Sequence, residues 1–140
     1  MWQLVAHILG YDIWFYISHR LLHTSALYWM HKVHHENRTP TFLNTYHDHW
    51  FESPFQSLGF LTPFLWTEFD ALQVTLALLF INARGMLQHD ERGVWLVGRH
   101  HLNHHLIGHG NYGTLWIDRL CGTCIPPKVN QEQLEDVGPD

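Results

Sequence analysis

The sequence has 140 residues, 46% hydrophobic and 14% aromatic, with a formal net charge of −5. That length suits one domain. The acidic balance without a basic stripe argues against nucleic-acid binding, and two cysteines are too few for a disulfide framework or a four-thiolate iron–sulfur cluster.

Residues 2–22 read as one helix, apolar nearly all round, with Asp12 and Arg20 as its charges. Such a helix is buried in protein or in lipid. It lacks a basic leader and His7 interrupts its first apolar run, so it does not read as a cleavable signal. Residues 25–36 read as a second, amphipathic helix that Asn37 to Pro40 ends, and 41–52 as polar, aromatic and irregular. Two apolar pieces follow, Phe55 to Trp66 and Ala71 to Met86. Each is shorter than the roughly 20 residues of a full span. Together they predict a helical hairpin that dips into or crosses a bilayer, with Glu68 and Asp70 at its turn; a soluble hairpin is the competing reading. The abundant Trp and Tyr suit a membrane interface. Residues 87–125 are polar, His-rich and Gly-rich, and 126–140 read as an exposed tail, which leaves 1–125 as the core.

Histidine is the anomaly, with 14 residues against 8 Lys plus Arg. Neutral imidazole contributes little surface charge near pH 7 but is a common ligand of transition metals. His19 and His23 stand at i and i+4, on one face of a helix. His31, His34 and His35 stand at i, i+3 and i+4, and His101, His104 and His105 repeat that pattern 70 residues later. Eight imidazoles exceed the three or four protein ligands of a mononuclear zinc site and suit two metals that keep open positions. His89, where the chain leaves the apolar hairpin, is the best ninth candidate. An imidazole-only shell argues against magnesium or calcium. It fits iron, zinc or copper, with iron favoured where open positions must bind O₂. Two boxes precede the hairpin and one follows it, so all can meet at one membrane face. Proton competition predicts metal loss as pH falls through the imidazole range.

The other polar residues carry two readings each. Asp12, seven residues before His19 on the same helical face, is a candidate acceptor for an imidazole N–H or a plain helix charge. Glu52 and Asp118 share that ambiguity. His47 and His49 read as supporting or interface residues rather than ligands. His100 competes with His101 by register, although His101 matches the earlier triad better. His109 reads as a loop residue and His7 as a polar residue within a helix. Cys121-Gly-Thr-Cys124 has redox-motif spacing.

Taken in order, Asp12-Ile-Trp-Phe-Tyr-Ile-Ser-His19-Arg-Leu-Leu-His23, His31-Lys-Val-His34-His35, His49-Trp-Phe-Glu52, Arg84-Gly-Met-Leu-Gln-His89, His101-Leu-Asn-His104-His105, Asn111-Tyr-Gly and Asp118-Arg-Leu-Cys-Gly-Thr123 resemble the fatty acid hydroxylase/sterol desaturase superfamily. The resemblance covers about residues 11–124. It implies an all-α, helical integral-membrane fold with a His-box di-iron site at the membrane face, facing the cytoplasm. It also implies two irons, O₂ as co-substrate, and an external electron donor of cytochrome or ferredoxin type. The implied chemistry is hydroxylation or desaturation of a fatty acid, sterol, carotenoid or similar lipid. Carried over by position, the ligands are His19, His23, His31, His34, His35, His89, His101, His104 and His105, with Asp12, His49, Glu52 and Asp118 as supporting candidates. The cysteine pair falls where that family has a structural turn. Two departures stand out. Family members carry more hydrophobic sequence before the first box, which raises an N-terminally truncated form. Position 85 is Gly where a second His often stands, which leaves His47, His49 or water as the tenth ligand. The competing functions are a zinc-dependent hydrolase, which lacks a His-Glu-x-x-His element, and a non-catalytic membrane metal-binding fragment.

Overall fold

A computed structural model describes residues 1–126, so the expected tail lies outside the described residues except for Pro126. Among the described residues all regular structure is helical. The first helix, α1, runs Trp2–Leu22 as the apolar run predicts. It forms the centre of the fold. Helix α3 (Glu52–Leu61) and helix α4 (Ala71–Gln88) each pack on it. The expected hairpin is therefore present, but its arms straddle α1 instead of closing on one another. They meet through Phe60, which joins Val74, Ala77 and Ile81 in a buried cluster with Leu4, Ile8 and Tyr11 of α1 against it.

Two glycines set the α1–α3 distance. A Cβ on Gly10 would lie 2.7 Å from the Gly59 carbonyl oxygen, and one on Gly59 would overlap Trp14 Cβ and the Gly10 carbonyl. Small residues let helix backbones approach this closely. Two hydrogen bonds then lock the pair: Trp14 Nε1 donates to the Phe55 carbonyl and His7 Nδ1 to that of Phe60, each at 2.7 Å. The Phe60 carbonyl lies at the end of α3, where the 3-10 turn Thr62–Leu65, with Pro63 within it, replaces the α-helix. Helix α4 starts where Asp70 accepts from the Gln73 N–H at 3.1 Å, a side-chain N-cap.

The second expected helix is shorter than 25–36. Only Tyr28–His31 is α-helical (α2), followed by a turn and a 3-10 segment at His34–Glu36. Val33 and the histidines are indifferent helix formers, and anchoring of His31 and His34 to separate partners outweighs that propensity. Residues 42–46, expected to be irregular, form a 3-10 turn closed by a Thr41–Asn44 capping box. Beyond α4 the chain makes a 3-10 turn (Glu91–Gly93) and three short helices: α5 (Val94–Val97), α6 (His100–Ile107) and α7 (Leu115–Leu120).

The polarity of the fold is inverted. Trp2, Val5, Leu9, Ile13, Ile17 and Leu21 run exposed along α1, and Leu72, Leu76, Leu79 and Phe80 are exposed on α4. Buried instead are histidines, Asp12, Glu52 and Asp118. Contiguous exposed apolar surface on this scale marks an interaction face. Helix α4 is the one helix among the described residues long and apolar enough to cross a membrane. Its 18 residues span about 27 Å against a hydrocarbon core of about 30 Å.

Candidate metal centre

The end of α1, helix α2 with its 3-10 extension, the end of α4, and α6 converge on one buried volume. It holds two groups of imidazoles whose ring nitrogens lie within 4.8 Å of one another: His19, His23, His31, His35 and His104 in one, His34, His89, His101 and His105 in the other. The eight histidines singled out by spacing, and His89, singled out by its place after the hairpin, are all in these groups. The two triads do not act as units. His31 and His35 go to the first group while His34 joins the second; His101 and His105 go to the second while His104 joins the first. In each triad the i, i+4 pair shares one group and the middle residue crosses to the other, which interlocks the two.

The hydrogen bonds fix the tautomers. Nδ1 of His19 donates to the Tyr112 carbonyl (2.5 Å), His34 to that of His47 (3.3 Å), His89 to that of Gly85 (2.7 Å), and His104 to that of Gly110 (2.6 Å). His31 Nδ1 donates to Glu52 Oε1 at 2.7 Å. The four carbonyl oxygens only accept, so Nδ1 of His19, His34, His89 and His104 carries the proton and their Nε2 atoms keep a lone pair. Yet the Nε2 atoms face one another. They are 2.9 Å apart for His19 and His31, 3.0 Å for His31 and His35, 3.0 Å for His35 and His104, and 3.1 Å for His104 and His23. In the second group His89 Nε2 is 3.0 Å from those of both His34 and His101. His34 and His89 have no ring proton left to share between these atoms. Paired lone pairs at this distance repel unless a cation binds both.

The spacing also speaks to geometry. With metal–nitrogen distances of about 2.1 Å, right-angle coordination places ligand atoms about 3.0 Å apart and a tetrahedron places them about 3.4 Å apart. The observed edges match the first. His105 is buried, and neither of its ring nitrogens has a hydrogen-bond partner among the described residues. A buried imidazole without a partner is costly, and a metal ligand role removes that cost. The donor set therefore fits two metal ions.

Electrostatics keep the ligands available. Burial and the neighbouring imidazoles of His89 and His35 hold His34 down at about 3, and burial with His89 holds His35 at about 4. Burial, then mutual repulsion, holds His31, His101, His104 and His105 far below the usual range. Neutral imidazole is the metal-binding form. Acid release of metal is thus displaced below the ordinary imidazole range that the sequence suggests.

Of the four supporting candidates, Glu52 touches a clustered imidazole directly, through His31. Asp118 acts one step back. It accepts from the Tyr112 and Gly113 N–H groups at 2.9 and 2.8 Å, from Thr123 Oγ1 at 2.7 Å, and from His100 Nε2 at 2.9 Å. It thereby fixes the loop whose Gly110 and Tyr112 carbonyls orient His104 and His19. Burial pushes the Asp118 carboxyl up, but these hydrogen bonds outweigh it and leave it below the usual range. Asp12 departs from expectation: both of its oxygens receive the Arg84 guanidinium, because α4 brings that cation onto the face that α1 turns toward it. His49 also departs; it stacks edge-on with Trp29 at 5.2 Å and accepts from the Phe51 N–H. His47 contributes its carbonyl to His34, while its ring pairs with Glu36 at 3.0 Å. His109 is exposed and His7 is spent on Phe60. Cys121 and Cys124 are free thiols at a turn in which Thr123 and Cys124 N–H groups return to the Asp118 carbonyl.

Sequence reasoning missed the carbonyls of Gly85, His47, Gly110 and Tyr112, since any residue supplies one. It also missed the structural weight of Asn111. That fully buried residue has φ 51° and binds the His100 and Ile125 carbonyls and the Ile125 N–H. An Asn before Tyr-Gly in a Gly-rich loop was the available signal, because Asn tolerates the left-handed region.

A cavity of about 430 Å³ lies between α1, α3 and α4. It is lined by Tyr11 and Phe15 of α1, Phe60 and Leu61 of α3, and Leu78 and Ile81 of α4, and it ends against His19, His34, His89 and His101.

Comparison with known proteins agrees with this centre. The family described as fatty acid hydroxylase matches residues 4–123. Methylsterol monooxygenase 1 of Rattus norvegicus is 28% identical over 143 aligned positions, which cover 91% of this chain and 48% of that protein. The chain thus spans about half the length of this curated relative. No solved structure matches.

Proposed function

The chain belongs to the fatty acid hydroxylase family, and on that premise we propose that it is the metal-bearing core of a membrane di-iron oxygenase that hydroxylates or desaturates a lipid. His19, His23, His31, His35 and His104 would hold one iron and His34, His89, His101 and His105 the other. When bound, the pair would supply O₂ reduction and hydrogen abstraction from an unactivated C–H bond, with electrons from an external cytochrome or ferredoxin. The observation that carries the reading is the set of Nε2 atoms, four of them on carbonyl-fixed rings, that meet at 2.9 to 3.1 Å.

The chain's own residues hold, orient and enclose. Five Nδ1 anchors lock ring orientation, as outer hydrogen bonds do for metal ligands. Phe15, Phe60, Leu78 and Ile81 give the cavity an apolar wall that takes a lipid and keeps water from the reacting carbon. The apolar stripes of α1 and α4 suit a bilayer, from which such a substrate would enter, with the histidines facing the cytoplasm. The relative's name, methylsterol monooxygenase, favours a sterol within the lipid class. The right-angle nitrogen spacing speaks against the tetrahedral zinc hydrolase.

The test is metal analysis of detergent-purified protein, followed by O₂ uptake with reductant and either a methylsterol or a long-chain fatty acid. About two irons per chain and lipid-dependent O₂ uptake are expected. One zinc without iron would refute the proposal, and iron without O₂ uptake would favour a non-catalytic metal-binding role. Lipid profiles of a host expressing the chain, beside His104→Ala, identify the product.

A further inference from the structure

The metal centre leaves the chain's two thiols, Cys121 and Cys124, unused. They flank the end of α7. Gly122, at φ 68°, closes that helix: its N–H returns to the Arg119 carbonyl at 3.4 Å, and that of Thr123 to the Asp118 carbonyl at 2.9 Å. The Cys121 N–H meets the Ile117 carbonyl at 2.8 Å and the Cys124 N–H the Asp118 carbonyl at 3.1 Å. Both cysteines thus hang from consecutive carbonyls of one helical turn. That keeps their backbones within reach of a disulfide, which spans about 4.4–6.8 Å between Cα atoms. Cys121 is exposed and Cys124 half-buried, so the two side chains enter different surroundings, and joining them moves residues 122–124.

Those residues brace the metal centre. The Thr123 carbonyl accepts the Asn111 N–H at 2.9 Å, and the Asn111 side chain holds both the N–H and the carbonyl of Ile125. A Cβ on Gly110 would overlap the Ile125 side chain, so the two segments touch. Thr123 Oγ1 donates to the Asp118 carboxylate at 2.7 Å. The segment held in this way presents the Gly110 and Tyr112 carbonyls, which fix the rings of His104 and His19.

We propose that Cys121 and Cys124 form a reversible redox pair whose disulfide form loosens this brace and weakens the five-histidine group. The oxidant is hydrogen peroxide, the two-electron reduction product of O₂. The thiolate of the exposed Cys121 attacks it; the O–O bond breaks, the departing hydroxide takes a proton to become water, and the sulfur becomes a sulfenic acid. The Cys124 thiol then displaces the sulfenic oxygen as a second water, and the S–S bond forms. Two thiols lose two electrons in all, and one peroxide becomes two waters. Strain and exposure make such a disulfide easily reduced, so a glutathione-type thiol reverses it. The effect on iron rests on the oxygenase reading above; the effect on the loop at Asn111 does not.

The test uses the full chain in detergent. Hydrogen peroxide added to metal-stripped protein is expected to consume both thiols and to give a Cys121–Cys124 cross-linked peptide on mass mapping. Cys124→Ser should stop at a sulfenic acid on Cys121, captured by dimedone. Thiols that stay free, or a disulfide between two chains instead, would overturn the pair. Hydrogen exchange on the same samples reads the brace. The N–H groups of Asn111, Tyr112 and Gly113 should exchange at least about tenfold faster in the disulfide form, and slow again after dithiothreitol. Unchanged exchange would overturn the coupling. Iron-loaded protein is oxidised with diamide, which takes thiols to disulfide without the reaction of peroxide with ferrous iron. About one iron per chain should be lost, while Cys121→Ser treated alike keeps its iron. Retention of both irons by the disulfide form, or equal loss from Cys121→Ser, would overturn the effect on the five-histidine group. A chain that forms the disulfide and frees the loop but never holds iron refutes the oxygenase reading and supports the redox pair.

Discussion

Asp118 is the strongest test of how the metal centre is held, because it touches none of the nine imidazoles. Asp118→Ala removes the acceptor of four hydrogen bonds. Two of the donors are backbone N–H groups, of Tyr112 and Gly113, in a loop with no ready substitute. Leaving two such donors unpaired costs about 1–3 kcal/mol each, so roughly 2–6 kcal/mol in all. That is a large share of a typical total of about 5–15 kcal/mol. At about 3 °C per kcal/mol for a domain of this size, the midpoint of thermal unfolding in detergent should fall by roughly 6–18 °C. The loop also presents the carbonyls that orient His19 and His104, both in the five-histidine group. Iron content should therefore drop by about one per chain, measured on the folded fraction at low temperature. The carboxyl lies below its usual range, so its contribution is present above the unfolded pKa of about 4 and is lost as pH falls through the lower folded value. The difference between the parent protein and Asp118→Ala should accordingly shrink in acid. A variant with the parent's midpoint and full iron would refute the claim that this carboxylate holds the site.

Three further outcomes are expected. In metal-stripped protein, His34 at about 3 and His35 at about 4 sit below their unfolded value. Stability should be complete above about pH 6.5 and decline toward pH 3–4 by up to about 1.4 kcal/mol per pH unit per histidine, read from thermal midpoints across that range. Gly85→Leu should leave iron content unchanged and keep or raise the melting midpoint, since a glycine in a helix interior costs about 0.5–1 kcal/mol. A Cβ there meets only Thr45 Cγ2, at 3.8 Å. The added side chain would enter the cavity, so lipid-dependent O₂ uptake should fall at least about tenfold; undiminished uptake would show that substrate does not pass α4 at this point. Gly59→Ala should destabilise by about 1–3 kcal/mol or more, because its Cβ would overlap Trp14 and the Gly10 carbonyl, and chemical denaturation in mixed micelles would register the loss.

The histidines were legible because ligand spacing is a local property. Residues at i, i+3 and i+4 on short helical turns bring imidazoles to one side of the chain whatever the remainder does, and the eight singled out by spacing converge together with His89, which its place after the hairpin had marked. The long first helix and the apolar hairpin were likewise readable, since uninterrupted apolar runs announce themselves. Tertiary structure alone decided how the nine divide. A continuous helix over 25–36 would have kept His31, His34 and His35 together. Anchors on Glu52 and on the His47 carbonyl broke that segment and sent His34 across to join His89, His101 and His105. The same holds for Asp12, whose partner depends on α4 packing beside α1 and bringing Arg84 to it from 72 positions away. It holds too for the carbonyls of Gly85, Gly110 and Tyr112, whose role comes from backbone position and not from side-chain identity. Sequence determined which imidazoles are available as ligands, and packing determined which of them come together.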